Sequence, residues 1–133
     1  MTLDVKTAFL YGDSRRSLYI ELPVEDAMAA SGDYVGLIQR SLYGARDAPQ
    51  IWQDHLRDTL QEIEFVESQI KPGLFRHAER DIDLCVHVDD ILVSGVLENL
   101  RWFEQMLTKK YEVESEVIGE DEELAKQGVY LGR

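Results

Sequence analysis

Basic side chains are scarce in this sequence: 14 Lys and Arg stand against 26 Asp and Glu, a net charge of −12. Phosphate backbones are held mainly by Lys and Arg, so such a chain carries no broad nucleic-acid groove of its own. Much of the acidic excess lies in Glu112, Glu114, Glu116, Glu120, Asp121, Glu122 and Glu123, which read as a solvated face or loop. Cysteine is reduced to Cys85, set in the apolar run Leu84-Cys85-Val86, which excludes an internal disulfide and CxxC-type zinc sites. That usage fits a reducing, intracellular compartment. There are only 3 prolines and no Pro-, Gly- or Ser-rich stretch that would serve as a linker, so the 133 residues are expected to form one domain around one core. Long apolar runs are missing too. Asp4, Lys6 and Asp13 interrupt the N-terminal stretch, which therefore has no signal-peptide character, and no later segment approaches a membrane span. No membrane role is expected. What the chain does have is 44% hydrophobic and 30% charged residues, enough for a modest core in a soluble globular domain.

Periodicity places the elements. Leu18, Ile20 and Leu22 alternate with Tyr19 and Glu21 as in a half-buried strand that Pro23 stops, and Val35 to Leu42 is a second strand candidate. Trp52, Leu56, Leu60 and Ile63 recur at helical spacing between Pro49 and Phe65, with Asp47 near the helix start. Leu74-Phe75 reads as a short extended piece after Lys71-Pro72-Gly73. Ile82, Leu84, Val86 and Val88 share a face, Asp89-Asp90 follows, and Ile91-Leu92-Val93 leaves, which predicts a hairpin with two acids at its tip. A second helix is expected from about Leu97 to Tyr111, with Leu100, Phe103 and Leu107 on its core stripe and Lys109-Lys110 at its C-terminal end. Strands interleaved with two helices imply an α+β fold, a mainly antiparallel sheet with both helices packed on one face.

Adjacent acids at a hairpin tip have an ordinary explanation, because aspartate is a favoured turn residue. Apolar strands on both sides change the picture, since they would hold two carboxylates rigidly at a sheet edge, as a divalent metal requires. The surrounding motifs point the same way. Asp4-Val5-Lys6-Thr7-Ala8-Phe9-Leu10-Tyr11-Gly12-Asp13 resembles the first acid motif of copia-type (Ty1/copia) LTR-retrotransposon reverse transcriptases. Ser41-Leu42-Tyr43-Gly44-Ala45-Arg46-Asp47-Ala48-Pro49 with Trp52 resembles their substrate loop. Val86-His87-Val88-Asp89-Asp90-Ile91-Leu92 resembles their double-aspartate motif, and Tyr130-Leu131-Gly132 the start of their primer-grip turn. The motifs keep the family's order and span nearly the whole chain.

The resemblance implies a polymerase palm that transfers a dNTP to a primer 3′ hydroxyl with two Mg²⁺ ions, or Mn²⁺ in their place, about 3.5–4 Å apart. It implies Asp4, Asp89 and Asp90 as catalytic residues and metal ligands. Val5, among the substrate-binding residues, would contact the nucleotide-bound metal through its carbonyl, and Phe9 would sit under the sugar and exclude a 2′ hydroxyl. Tyr43 and Gly44 would face the nucleotide, Gly44 allowing close backbone approach. His87 stands where the family usually has Tyr and, with Leu131 and Gly132, would touch the primer. Lys6 and Arg46 are expected at the solvated surface and Trp52 in the core. Residues 1–133 are expected to be one partial palm domain that lacks the start of the fingers, the thumb and RNase H. Its expected partners are template-primer and dNTP in the full-length enzyme and the integrase and RNase H segments of a polyprotein, in a cytoplasmic virus-like particle. Two other readings compete. One is a decayed, non-catalytic remnant that keeps the palm fold as an interaction module. The other is an RRM-like RNA-binding domain, which would need the paired basic-aromatic RNP1 motif that this sequence lacks.

Overall fold

Apolar alternation in short segments gives a meander of strands. A computed structural model describes residues 1–120 and 124–131. The strands are β1 (Thr2–Val5), β2 (Asp13–Glu21), β3 (Val35–Arg40), β4 (Val66–Glu67), β5 (Leu74–His77), β6 (Ile82–His87), β7 (Asp90–Ser94) and β8 (Val113–Glu116), with helices α1 (Ala48–Glu62) and α2 (Leu97–Thr108). The fold is α+β, as the strand and helix patterns predict. Among the described residues no helix is long and apolar enough to cross a membrane. The chain forms two compact units, one of Met1–Ala8 with the chain from Leu56 onward, the other Phe9–His55.

The first unit is a six-stranded sheet in the order β4-β5-β6-β7-β1-β8, antiparallel at every pairing. Alternation sends Leu3, Val5, Phe75, Ile82, Leu84, Ile91 and Val93 to one face, where all are buried. α2 turns Leu100, Phe103 and Leu107 inward, and Leu56 and Leu60 of α1 are buried in the same unit. Phe65 joins this core with its ring 5.2 Å from Phe103 and 5.1 Å from the buried His77, whose other neighbour is Trp102 at 5.3 Å. The buried Thr59 and Tyr111 hydroxyls satisfy each other at 2.6 Å. α1 ends in a Schellman turn: Phe65 N–H donates to the Leu60 carbonyl and Glu64 N–H to that of Gln61, with Glu64 at φ 68° where glycine is usual.

The second unit is the antiparallel ribbon β2-β3 with the first turns of α1. Gly12 lies so close to Ile51 that an added Cβ would come within 2.3 Å of its Cγ2, so the side-chain-free position allows this packing. Trp52 is fully buried with Tyr11 at 6.2 Å, as expected of a core residue. Asp47 pairs with Arg16 at 3.1 Å, and Asp54 with Arg15 at 2.6 Å.

Two details sharpen the periodicity. The turn of the acidic hairpin is Val88-Asp89, and Asp90 already belongs to β7, paired with His87. The acidic glutamates are solvated as expected, with Glu112, Glu114 and Glu116 exposed, and Val113–Glu116 is edge strand β8, paired with β1. Asp121, Glu122 and Glu123 lie outside the described residues.

Candidate active site

Strand register assembles the acids. Asp4 is the direct partner of Asp90, and Asp90 that of His87. The hydrogen bonds from Val5 N–H to the Asp89 carbonyl (3.1 Å) and from Val93 N–H to the Met1 carbonyl (2.8 Å) fall on odd positions of β1. Asp4 and Asp90 are therefore a non-hydrogen-bonded pair, the kind whose Cα atoms come within about 4.5 Å and whose side chains lean together. On its other side Asp4 faces Glu114. Glu114, Asp4, Asp90 and His87 thus form one row across β8, β1, β7 and β6, on the face opposite the core. A groove of about 240 Å³ lies along it, lined by Thr2, Asp4, Asp90, Glu114, Glu116 and Val129 among others.

The hairpin tip is strained. Val88 sits at φ 56°, a conformation that costs a β-branched residue more than most. Its neighbours fix it: β6 and β7 pair up to His87 and Asp90, leaving two residues for the turn, while Asp89 is tied to Val5 through its carbonyl. Behind the tip, Gly73 at φ 84° receives Val86 N–H at 2.8 Å, and a Cβ there would stand 2.9 Å from the Val86 carbonyl. The turn is thus held at both ends by backbone contacts that leave the Asp89 and Asp90 side chains uncommitted to the ladder.

Lys6 enters the row from above. It lies two residues after Asp4, so its side chain falls on the same face, and Nζ stands 2.9 Å from both Asp4 Oδ2 and Glu114 Oε2. Those carboxylates hold its ammonium well above the usual lysine range, first through the hydrogen bond to Asp4 and then through that to Glu114. Lys6, expected at the solvated surface, is partly exposed there and ion-paired within the acidic row. Among the described residues no three His, Cys, Asp or Glu side chains are drawn around one point tightly enough to hold a metal ion. The donor chemistry nevertheless fits a hard divalent cation, since Asp4 and Asp90 are opposed carboxylates and Asp89 is one residue away.

Residues from 124 to 131 return to this face. Tyr130 OH lies 3.4 Å from the Cys85 carbonyl and 3.6 Å from its Sγ. Burial foremost, then the Cys85 contact, pushes its phenol up to about 12. Leu131, expected at the primer, is exposed at φ 54°; Gly132 lies outside the described residues. His87 is exposed at the end of β6.

Of the residues expected at the nucleotide, Val5 lies in the first unit, and Phe9, Tyr43 and Gly44 lie in the second. Phe9, in the 3₁₀ turn Ala8–Tyr11, stacks on Tyr43 with ring centroids 4.5 Å apart. Gly44 follows at φ 91° with open space where a Cβ would stand. The register therefore brings Asp4, Val5, Asp89, Asp90 and His87 together on neighbouring strands of the first unit, while Phe9, Tyr43 and Gly44 belong to the second. Sequence reading did not place Lys6 or Glu114 beside the acids. The signal for Lys6 was its two-residue offset from Asp4, and for Glu114 the alternation with Val113 and Ser115.

Comparison with known proteins agrees with the motifs. A family described as reverse transcriptase (RNA-dependent DNA polymerase) matches residues 1–124. The chain is 32% identical over 112 residues to a transposon Ty5-1 protein of Saccharomyces cerevisiae, covering 82% of this chain and 36% of that protein. It is 33% identical over 96 residues to the retrovirus-related Pol polyprotein from transposon TNT 1-94 of Nicotiana tabacum, covering 70% of this chain and 7% of the polyprotein. A Ty1 Gag-Pol polyprotein of S. cerevisiae is 27% identical over 123 residues, 91% of this chain and 7% of its own length. The chain thus spans about a third of the Ty5-1 protein and a small fraction of the polyproteins. No solved structure matches it.

Proposed function

This chain belongs to the reverse transcriptases, in the copia-type retrotransposon group, and we propose that it is the palm segment of a Pol polyprotein that adds dNTPs to a primer 3′ hydroxyl. The observation that carries this reading is the direct opposition of Asp4 and Asp90 on neighbouring strands, with Asp89 in the adjoining turn.

Asp4, Asp89 and Asp90 would hold divalent cations, Mg²⁺ or Mn²⁺, which when bound supply the charge neutralisation that phosphoryl transfer needs. The chain's own contribution is positional. β1 and β7 fix two carboxylates face to face, and the Val5–Asp89 backbone bond sets the turn between them. Phe9, braced by Tyr43, offers a flat ring under the deoxyribose that would collide with a 2′ hydroxyl. Gly44 lets backbone approach the nucleotide without a side chain between. The exposed His87 presents an imidazole that can stack on or donate to the primer end. Grip on template and primer is left to the fingers and thumb of the polyprotein, because this chain's charge of −12 does not attract phosphate.

A second reading, a decayed palm retained as an interaction module, draws support from Lys6, which occupies Asp4. Primer extension separates the two. A polymerase in which residues 1–133 replace the matching segment of a Ty1-type Pol polyprotein should extend a primed RNA template, and Asp89→Asn or Asp90→Asn should abolish extension. A folded chimera that binds primer-template yet extends nothing favours the module.

A further inference from the structure

The acidic row carries its own cation. Asp4 and Glu114 are direct partners on β1 and β8, and the Lys6 ammonium bridges them at 2.9 Å to each. An ordinary surface lysine keeps its head group in water. Here the Lys6 side chain is 37% exposed and its ammonium donates to both carboxylates. The backbone fixes its position as well, since Lys6 N–H donates to the Glu112 carbonyl at 2.9 Å, extending the β1–β8 ladder past Val5.

We propose that Lys6 is a positioning residue for Asp4: its ammonium is the resident counter-ion of that carboxylate and competes with the divalent ion, so that ion loading requires Lys6 to move onto Glu114 alone. The proposal rests on the reading of Asp4, Asp89 and Asp90 as ion ligands. The physical argument is one of exclusion. A Mg²⁺ ion takes a carboxylate oxygen at about 2.0–2.1 Å, and an ammonium hydrogen-bonded to the same oxygen would then sit within a few ångströms of a double positive charge. Glu114 makes the exchange possible because it keeps one of the two ion pairs after Asp4 is surrendered. Until then Lys6 offsets the repulsion between Asp4 and the opposed Asp90 and holds the Asp4 carboxylate on the open face.

The test is a Mn²⁺ titration of the full 133-residue chain, read by thermal unfolding, together with mass-spectrometric measurement of Lys6 amine labelling. Lys6→Gln should reach half of its ion-dependent Tm shift at roughly tenfold lower Mn²⁺ than the wild type, as loss of a nearby unit charge implies. Lys6→Arg, which keeps the charge, should stay close to the wild type. Lys109→Gln, which removes the same charge at the C-terminal end of α2, the helix packed on the core face opposite the row, should not move the midpoint. In the wild type, saturating Mn²⁺ should raise Lys6 labelling severalfold, whereas Asp4→Asn should label fast without any ion. A Lys6→Gln midpoint within twofold of the wild type, or Lys6 labelling indifferent to Mn²⁺, overturns the proposal. Failure of the underlying reading looks different: neither wild type nor Lys6→Gln would respond to Mn²⁺. Labelling and Lys6→Arg keep the test decisive if Lys6→Gln does not fold.

Discussion

Asp4 and Asp90 oppose each other across β1 and β7 as a non-hydrogen-bonded pair, two like charges at the closest spacing a sheet offers. Directly opposed like charges destabilise a sheet by about 0.2–1 kcal/mol. Without divalent ions, Asp90→Asn should therefore stabilise the chain by up to about that amount in urea unfolding, less the part of the repulsion that Lys6 offsets, and it should lose most of the stabilisation expected for the wild type in millimolar Mg²⁺. A variant that is less stable than the wild type in chelator would mean that the pair is not repulsive.

The strained turns make a second prediction. Val88 (φ 56°) and Glu64 (φ 68°) both hold a backbone conformation natural to glycine. Left-handed geometry costs an L-residue about 1–2 kcal/mol, of which glycine's extra unfolded-state entropy returns part. Glu64→Gly should stabilise the chain modestly, and Val88→Gly by at least as much because valine is β-branched. If Val88→Gly alone also lowers primer extension in the chimeric polymerase, the rigid turn serves chemistry more than stability.

The core depends on aromatic contacts. Phe103 is fully buried with Phe65 at 5.2 Å, so Phe103→Ala should cost about 3–5 kcal/mol and Phe103→Leu much less. Denaturant midpoints at constant m-value measure both.

Acid should act on the contact between α2 and β8. The Ser115 hydroxyl foremost, and Arg101 with it, hold the Glu104 carboxyl below its ordinary 4.5. A depressed folded pKa gives stability that is fully present above the unfolded value and is lost as pH falls through the folded one. The wild type should thus lose stability below about pH 4.5 more steeply than Glu104→Gln, with parallel curves near neutrality. Identical slopes in the acid limb would show that the contact carries no weight.

The sequence made the β6-β7 hairpin legible because apolar residues at Ile82, Leu84, Ile91 and Val93 alternate on both sides of the acids. Helix α1 was equally plain from Trp52, Leu56 and Leu60, all buried. β8 was hidden by composition: its glutamates drew the eye from the alternation of Val113 and Ser115, of which only Val113 is half-buried. Whether the turn begins at Val88 or Asp89 depends on register, and a positive φ at valine is something no propensity anticipates. The role of Lys6 was lost for a related reason. A lysine beside an acid is usually a weak surface pair, and only the strand partner Glu114, distant in sequence, makes it a bridge.

The central proposal is that acids distant in sequence form one cation site on the sheet's open face. Substoichiometric Mn²⁺ added to isotope-labelled chain, with amide signals followed by NMR, tests it most directly, because paramagnetic broadening marks whatever lies near the ion. Signals of residues 3–5 and 87–91 should vanish first and together, and Asp89→Asn should restore both groups. Broadening centred on residues 118–120, with 3–5 and 87–91 left sharp, would mean that divalent ions collect on the acidic segment after β8 and that Asp4, Asp89 and Asp90 are not a metal site.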